Sequence, residues 1–241
     1  MSSEVINSAA RILRMQSNND DRSVRDPALH ASAILSTALI PPACHGTFRS
    51  IASLESNIGV EEAYSITAIP RVSYFGLFAP HGGLIEIGSS ELARALSGER
   101  YALYCFEGKT YPLDQNLRIT STHFDEPQCQ KVLSSVAVPI VIHGCYEAGS
   151  VDLFLGGRAL NLIDVLQEYL HAGDFVTAVH PQFMGISRKN ICNRGTQGSG
   201  IQIELGWRAQ NALFDPATDH ERRYATRLIE TLTLFLHDNE P

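Results

Sequence analysis

The sequence predicts an α/β layer architecture built on a largely parallel or mixed sheet. From about Thr47 onward, short apolar runs of strand length alternate with segments of helical spacing, the order that produces βαβ units. Hydrophobic residues make up 44% of the chain and charged residues 19%, ordinary values for a globular protein and too apolar for wholesale disorder. At 241 residues the chain is long enough to bury a substantial core. It reads as one domain over residues 47–241 behind an N-terminal extension over residues 1–46.

In the extension, Val5, Ile6, Ala9, Ile12 and Leu13 fall on one side of a helix over Val5–Met15, and the polar stretch Ser17–Asp26 reads as a linker. The apolar run in Ala28–Cys44 follows Arg22 and Arg25, so it has two readings: a late-starting export signal, or a short helix packed on the domain. The polar, mixed-sign residues before it and the Pro-Pro that precedes Ala43-Cys44 favour the helix. In the domain, β-branched and aromatic runs bounded by Gly, Pro or Ser predict strands at Tyr64–Ile69, Ser73–Ala79, Arg100–Phe106, Leu117–Ser121, Ala137–Ile142, Val151–Leu155, Phe175–Val179 and Ile201–Leu205. Helical spacing predicts helices at Ile51–Ser56, Ser90–Leu96, Pro127–Leu133, Leu160–His171 and His220–His237. Ser89 or Ser90 is placed to cap the second helix, Asp125 to cap the third, and Gly173 to end the fourth.

The formal net charge of -7 removes the electrostatic case for nucleic acid as the main partner. No run of 18 apolar residues exists, so no membrane span is expected. The five cysteines, Cys44, Cys105, Cys129, Cys145 and Cys192, include no C-x-x-C pair and predict packed free thiols rather than a disulfide framework or a thiolate zinc site. The compartment reads as cytoplasmic, with export or release by lysis as the alternative that an extracellular polymer would require.

Three distant segments each place a metal-compatible side chain at the end of an apolar run: His81 and Glu86 in Ala79-Pro-His-Gly-Gly-Leu-Ile-Glu86, His143 in Val138-Pro-Ile-Val-Ile-His143, and Glu204 in Ile201-Gln-Ile-Glu-Leu205. Two His and one Glu form a known ligand set for a catalytic zinc whose fourth position stays open for water. A further carboxylate nearby can take that water's proton and pass it to a leaving amine. His81, Glu86 and His143 are therefore candidate ligands, and Glu204 the candidate general base. Gly82 and Gly83 would let the backbone fold tightly enough to return Glu86 beside His81. The competing reading makes this segment a glycine turn with a surface Glu, and His143 a core histidine bonded to a carbonyl. A thiol scheme with Cys145 as nucleophile is weaker, because nothing in the sequence supplies an activating environment. Along Ile201–Leu205 strict alternation puts Ile201, Ile203 and Leu205 on one face and Gln202 and Glu204 on the other; an edge strand with a solvated polar face is the alternative. Asn190, Asn193 and Arg194 supply amide and guanidinium groups suited to a substrate carboxylate, although a solvated loop explains them equally well.

Taken in order, Ala-Pro-His81-Gly-Gly-Leu-Ile-Glu86-Ile-Gly-Ser-Ser-Glu-Leu-Ala, Tyr-Cys-Phe-Glu-Gly108, Leu-Arg-Ile-Thr-Ser-Thr-His-Phe-Asp-Glu-Pro127, Ile-His143-Gly, Asn190-Ile-Cys-Asn-Arg194 and Gln-Ile-Glu204-Leu resemble the phage-type poly-γ-glutamate hydrolase family, some members of which are labelled phage-related replication proteins. The resemblance spans about Phe48 to Trp207. It implies a three-layer α/β/α fold with a mixed central sheet, zinc-carboxypeptidase-like. It also implies zinc held by His81, Glu86 and His143, Glu204 as general base and acid, and a substrate-facing loop from Asn190 to Arg194. The substrate it implies is an anionic γ-glutamyl polymer or peptide. A deacylase or carboxypeptidase acting on small N-acyl amino acids, and a phage-associated binding protein without catalysis, are the rival functions. The chain departs from the family pattern at Gly206, where Ser or Thr is expected.

Overall fold

The computed structural model describes residues 48–55, 63–109, 117–145 and 149–241. The N-terminal extension, with its expected Val5–Met15 helix and the Ala28–Cys44 run, lies outside the described residues.

A seven-stranded sheet of order β1-β3-β2-β4-β7-β5-β6 forms the middle layer. Its strands are β1 (Tyr64–Ile69), β2 (Ser73–Gly83), β3 (Ala102–Gly108), β4 (Val136–Gly144), β5 (Leu153–Gly157), β6 (Thr177–Ala178) and β7 (Ile201–Leu205). The central strands β3, β2, β4 and β7 are parallel, β1 runs antiparallel to β3, and β5 runs antiparallel to β7, so the sheet is mixed. The helices are α1 (Ile51–Glu55), α2 (Ser89–Ser97), α3 (Pro127–Leu133), α4 (Leu160–Ala172), α5 (Trp207–Phe214) and α6 (Asp219–Asp238).

Strand alternation divides the apolar side chains between two cores. Phe75, Leu77, Leu103, Ile140, Ile201, Ile203 and Leu205 pack under α2, α4, α5 and α6. Phe78, Tyr104, Phe106 and Val141 pack under α1, α3 and the short 3-10 turn Ile191–Asn193. Helices thus cover both faces. Cys105, Cys129, Cys145 and Cys192 are buried outside any disulfide, and among the described residues no helix is long and apolar enough to cross a membrane.

Three local expectations come out differently, and one helix was not expected. Leu117–Ser121 alternates as a strand should, but only Ile119 pairs, in an isolated bridge with Phe48. The Ile119 carbonyl faces His81 Nε2, while the Arg118 and Ser121 carbonyls accept from the Phe48 and Ile191 amides outside any ladder. Ser89 and Ser90 do not cap α2, whose N-cap is Gly88 without a side-chain bond; Ser89 Oγ donates to the Glu86 carbonyl and Ser90 Oγ accepts from Gly83 N–H. Glu126, not Asp125, caps α3, while Asp125 Oδ1 accepts from the first amide of α1 at Ile51. Helix α5 has no polar side-chain cap and follows β7 directly, so the sequence offered no start signal for it. By contrast, α6 opens with a Thr218/Glu221 capping box at its predicted end.

Glu91, in the first turn of α2, opposes folding near neutral pH. Burial, reinforced by the Glu107 carboxylate, pushes its carboxyl from the ordinary 4.5 up to about 7, against smaller pulls from its own amide, Ser90 and Arg94. A raised folded pKa means that its stability is intact below 4.5 and is lost as pH rises through about 7. Glu91→Gln is therefore expected to raise the Tm at pH 8 by roughly 2–4 °C and to have little effect at pH 4. Thermal unfolding of both proteins across that pH range checks it; equal curves at pH 8 would show that Glu91 carries no such cost.

Candidate metal centre

The parallel strands β2, β4 and β7 end at the same edge of the sheet, where ligands collect in open α/β folds. His81 lies near the end of β2, and the register of β2 with β3 shifts between Ala79 and Gly82, around Pro80 and His81. Such an irregularity re-aims a side chain that a regular strand would direct elsewhere. Gly83 then takes a left-handed φ of 63°, and a Cβ there would lie 2.5 Å from the Gly108 carbonyl oxygen. The turn from this strand to α2 therefore needs glycine, and it returns Glu86 beside His81.

His81 Nδ1 lies 3.0 Å from Glu86 Oε1, and His143 Nδ1, from the end of β4, lies 3.0 Å from Glu86 Oε2. One ligand atom from each of these three buried residues falls within 4.8 Å of the others. His81 Nε2 lies 2.9 Å from the Ile119 carbonyl oxygen, which can only accept, so Nε2 carries a proton and Nδ1 is left to face the cluster. His143 Nε2 is likewise occupied, 3.0 Å from Ser121 Oγ. Partners on the outward nitrogens that fix ring orientation are the usual support of metal-binding histidines. The donor set fits a divalent ion: ligands at about 2.1 Å in tetrahedral array stand roughly 3.4 Å apart, and a modest spreading of the observed spacing reaches that. Both expected alternatives, a surface Glu86 and a core His143 bonded to a carbonyl, are absent.

Electrostatics separate the two carboxyls. Burial alone would raise Glu86, but His81, Arg118 and His143 together hold it well below the usual carboxylate range. Burial and the Glu86 charge push Glu204 well above that range, against Arg118 and the hydrogen bond from Gln202. Burial also lowers His143. The two neighbouring carboxyls are thus driven apart, Glu86 towards its charged form and Glu204 towards its neutral form. Glu204 is the register partner of His143 across β4 and β7, and β7 is an interior strand rather than a solvated edge.

A family model of poly-gamma-glutamate hydrolase matches residues 48–236. The chain belongs to that family. Among its relatives, the UPF0714 protein YmaC of Bacillus subtilis (strain 168) is 31% identical over 187 residues, covering 76% of this chain and 77% of that protein. The SPbeta prophage-derived UPF0714 protein YoqZ of the same organism is 34% identical over 172 residues, 68% of this chain. The match spans only 62% of the length of YoqZ. Zinc-free apo YndL, a solved structure, is 31% identical with a TM-score of 0.72, covering 80% of this chain and 98% of its own. A bacteriophage poly-gamma-glutamate hydrolase structure is 27% identical with a TM-score of 0.69, covering 79% and 98%. The three-layer, zinc-carboxypeptidase-like architecture expected for the family is the one observed.

The backbone around Gly206 does not admit the Ser or Thr expected there, since a Cβ would sit 2.3 Å from the Val151 carbonyl oxygen. Asn190, Asn193 and Arg194, expected to face substrate, also bond within the fold. Asn190 Nδ2 donates to Gln202, Asn193 Nδ2 donates to the Gly185 and Ser187 carbonyls, and Arg194 donates to the carbonyls of Ser121 and Phe124. They brace the wall of the site. Arg118, which no spacing singled out, pairs with Glu86 Oε1 at 3.1 Å and donates to the Ile85 carbonyl. Only its place inside a family motif pointed to it.

Proposed function

We propose that this chain is a zinc-dependent amidohydrolase that cleaves γ-glutamyl amide bonds, with poly-γ-glutamate as substrate and Glu204 as general base and acid. The observation that carries this reading is the convergence of His81, Glu86 and His143 on one point, with Glu204 opposite His143 in the adjoining strand. Membership of the poly-gamma-glutamate hydrolase family supports the substrate, and the zinc-free description of the YndL structure supports the metal.

His81 Nδ1, His143 Nδ1 and a Glu86 oxygen are the atoms that would hold the ion. When bound, zinc supplies Lewis acidity at the scissile carbonyl and brings water towards ionisation near neutral pH. Arg118 and Gly144 N–H keep Glu86 anionic and oriented, the latter by donating to Oε2 at 3.0 Å. Ile119 and Ser121 hold the two imidazoles in one orientation. Glu204 accepts a proton from the attacking water and delivers it to the leaving amine, so that the departing group is neutral.

The test compares zinc-loaded protein on γ-linked polyglutamate, α-linked polyglutamate and small N-acyl amino acids. Cleavage of the γ-linked polymer alone, lost on chelation and restored by zinc at one ion per chain, is the expected result. Turnover confined to the small acyl amino acids would replace the polymer with the deacylase reading. No turnover of any of the three by zinc-loaded protein would leave the chain as a binding protein.

A further inference from the structure

Gln202 stands two residues before Glu204 on β7, so alternation brings both side chains to the same face of the sheet. It is 4% exposed. Its Nε2 donates to Glu204 Oε1 at 2.8 Å and to the Phe183 carbonyl at 2.9 Å, and its Oε1 accepts from Asn190 Nδ2 at 2.8 Å. Asn190 is itself fixed, since its Oδ1 accepts from Cys192 N–H at 3.1 Å. The amide cannot be turned over: exchanging its oxygen and nitrogen would set oxygen against the Phe183 carbonyl and the Glu204 carboxyl, and nitrogen against the Asn190 donor. Space is restricted too, because a Cβ on Gly185 would lie 3.0 Å from Gln202 Oε1.

We propose that Gln202 is a positioning residue that holds Glu204 Oε1 as an acceptor and leaves Oε2 as the oxygen that works on substrate, with Asn190 acting through Gln202. This rests on the reading of Glu204 as the general base. An amide is suited to the task because it donates whatever the state of the carboxyl, so Glu204 keeps one orientation through the cycle. Asn190 then influences the reaction at two removes, without touching substrate.

The experiment measures kcat, KM, zinc stoichiometry and Tm on γ-linked polyglutamate for Gln202→Leu, Asn190→Asp, Glu204→Gln and the double variant Gln202→Leu/Glu204→Gln. Asn190→Asp keeps the oxygen that caps the 3-10 turn and sets an acceptor in place of the donor to Gln202, so it reports even if Gln202→Leu fails to fold. Gln202→Leu is expected to lower kcat by about 10- to 100-fold, the scale of a small misplacement of a reacting group, with KM and zinc content unchanged. Asn190→Asp should fall in the same direction by less. In the Glu204→Gln background, Gln202→Leu should cost nothing more, because the group it positions is gone. An equal loss in both backgrounds, or a loss of zinc, would reduce Gln202 to a structural residue and overturn the proposal. Wild-type turnover in Glu204→Gln would overturn the general-base reading itself and the positioning role with it.

Discussion

Glu204→Gln is expected to leave zinc at one ion per chain while kcat on γ-linked polyglutamate falls about 100- to 10,000-fold, the usual contribution of a positioned general base and acid. The substitution is nearly isosteric, and the side chain sits in a buried slot on an interior strand, so packing should be kept. What is lost is the ability to accept and return a proton. Burial and the nearby Glu86 charge raise this carboxyl well above its ordinary range. Steady-state kinetics with metal analysis on the same preparation decide the matter. Wild-type kcat in the variant would remove Glu204 from the reaction.

Glu86→Ala is expected to have a larger effect, on metal binding and on stability together. The Glu86 carboxylate faces His81, His143, Gly144 N–H and Arg118 at 3.0 to 3.1 Å. Truncation leaves two imidazoles with centroids 5.0 Å apart beside a guanidinium that no longer faces the Glu86 carboxylate. Breaking a buried ion pair on one side costs about 3–5 kcal/mol, reduced here by the water that the partly exposed Arg118 can recover. The variant should emerge from dialysis without zinc and unfold at a lower temperature than metal-free wild type. The sign with pH follows from the depressed Glu86 carboxyl: its contribution is full above the usual carboxylate titration and is lost progressively as pH falls from there through the lowered value. Retention of one zinc per chain by Glu86→Ala would place the metal elsewhere in the molecule.

Legibility in the sequence followed the range of the interactions. Ile201–Leu205 and Pro127–Leu133 have the boundaries read from periodicity, because alternation and capping are properties of neighbours in the chain. His81, Glu86, His143 and Glu204 stood out because each ends or flanks an apolar run, where an ionisable group needs a reason to be. What the sequence could not show depends on contacts across many residues. Leu117–Ser121 has a strand's pattern, yet it supplies the Ile119 carbonyl to His81 and Ser121 Oγ to His143, and its role is fixed by strands 22 to 38 residues away. Gln202 passed as the polar half of an alternating strand until Asn190 and Glu204 were seen on either side of it. Asn190, Asn193 and Arg194 suit a substrate carboxylate by their amides and guanidinium, but the same groups also bond inside the fold, Asn190 to the Gln202 side chain and Asn193 and Arg194 to backbone carbonyls.

His143 and Glu204 owe their separation to the pairing of two interior strands, with Ile140, Val141, Ile142, His143 and Gly144 matched to Ile201, Gln202, Ile203, Glu204 and Leu205. Insertions or deletions in the surrounding loops would therefore leave the spacing of these two side chains unaltered. The same arrangement makes activity an all-or-none report of correct folding: a slip of one residue would turn Glu204 into the opposite core, and no partly misaligned form would retain residual turnover.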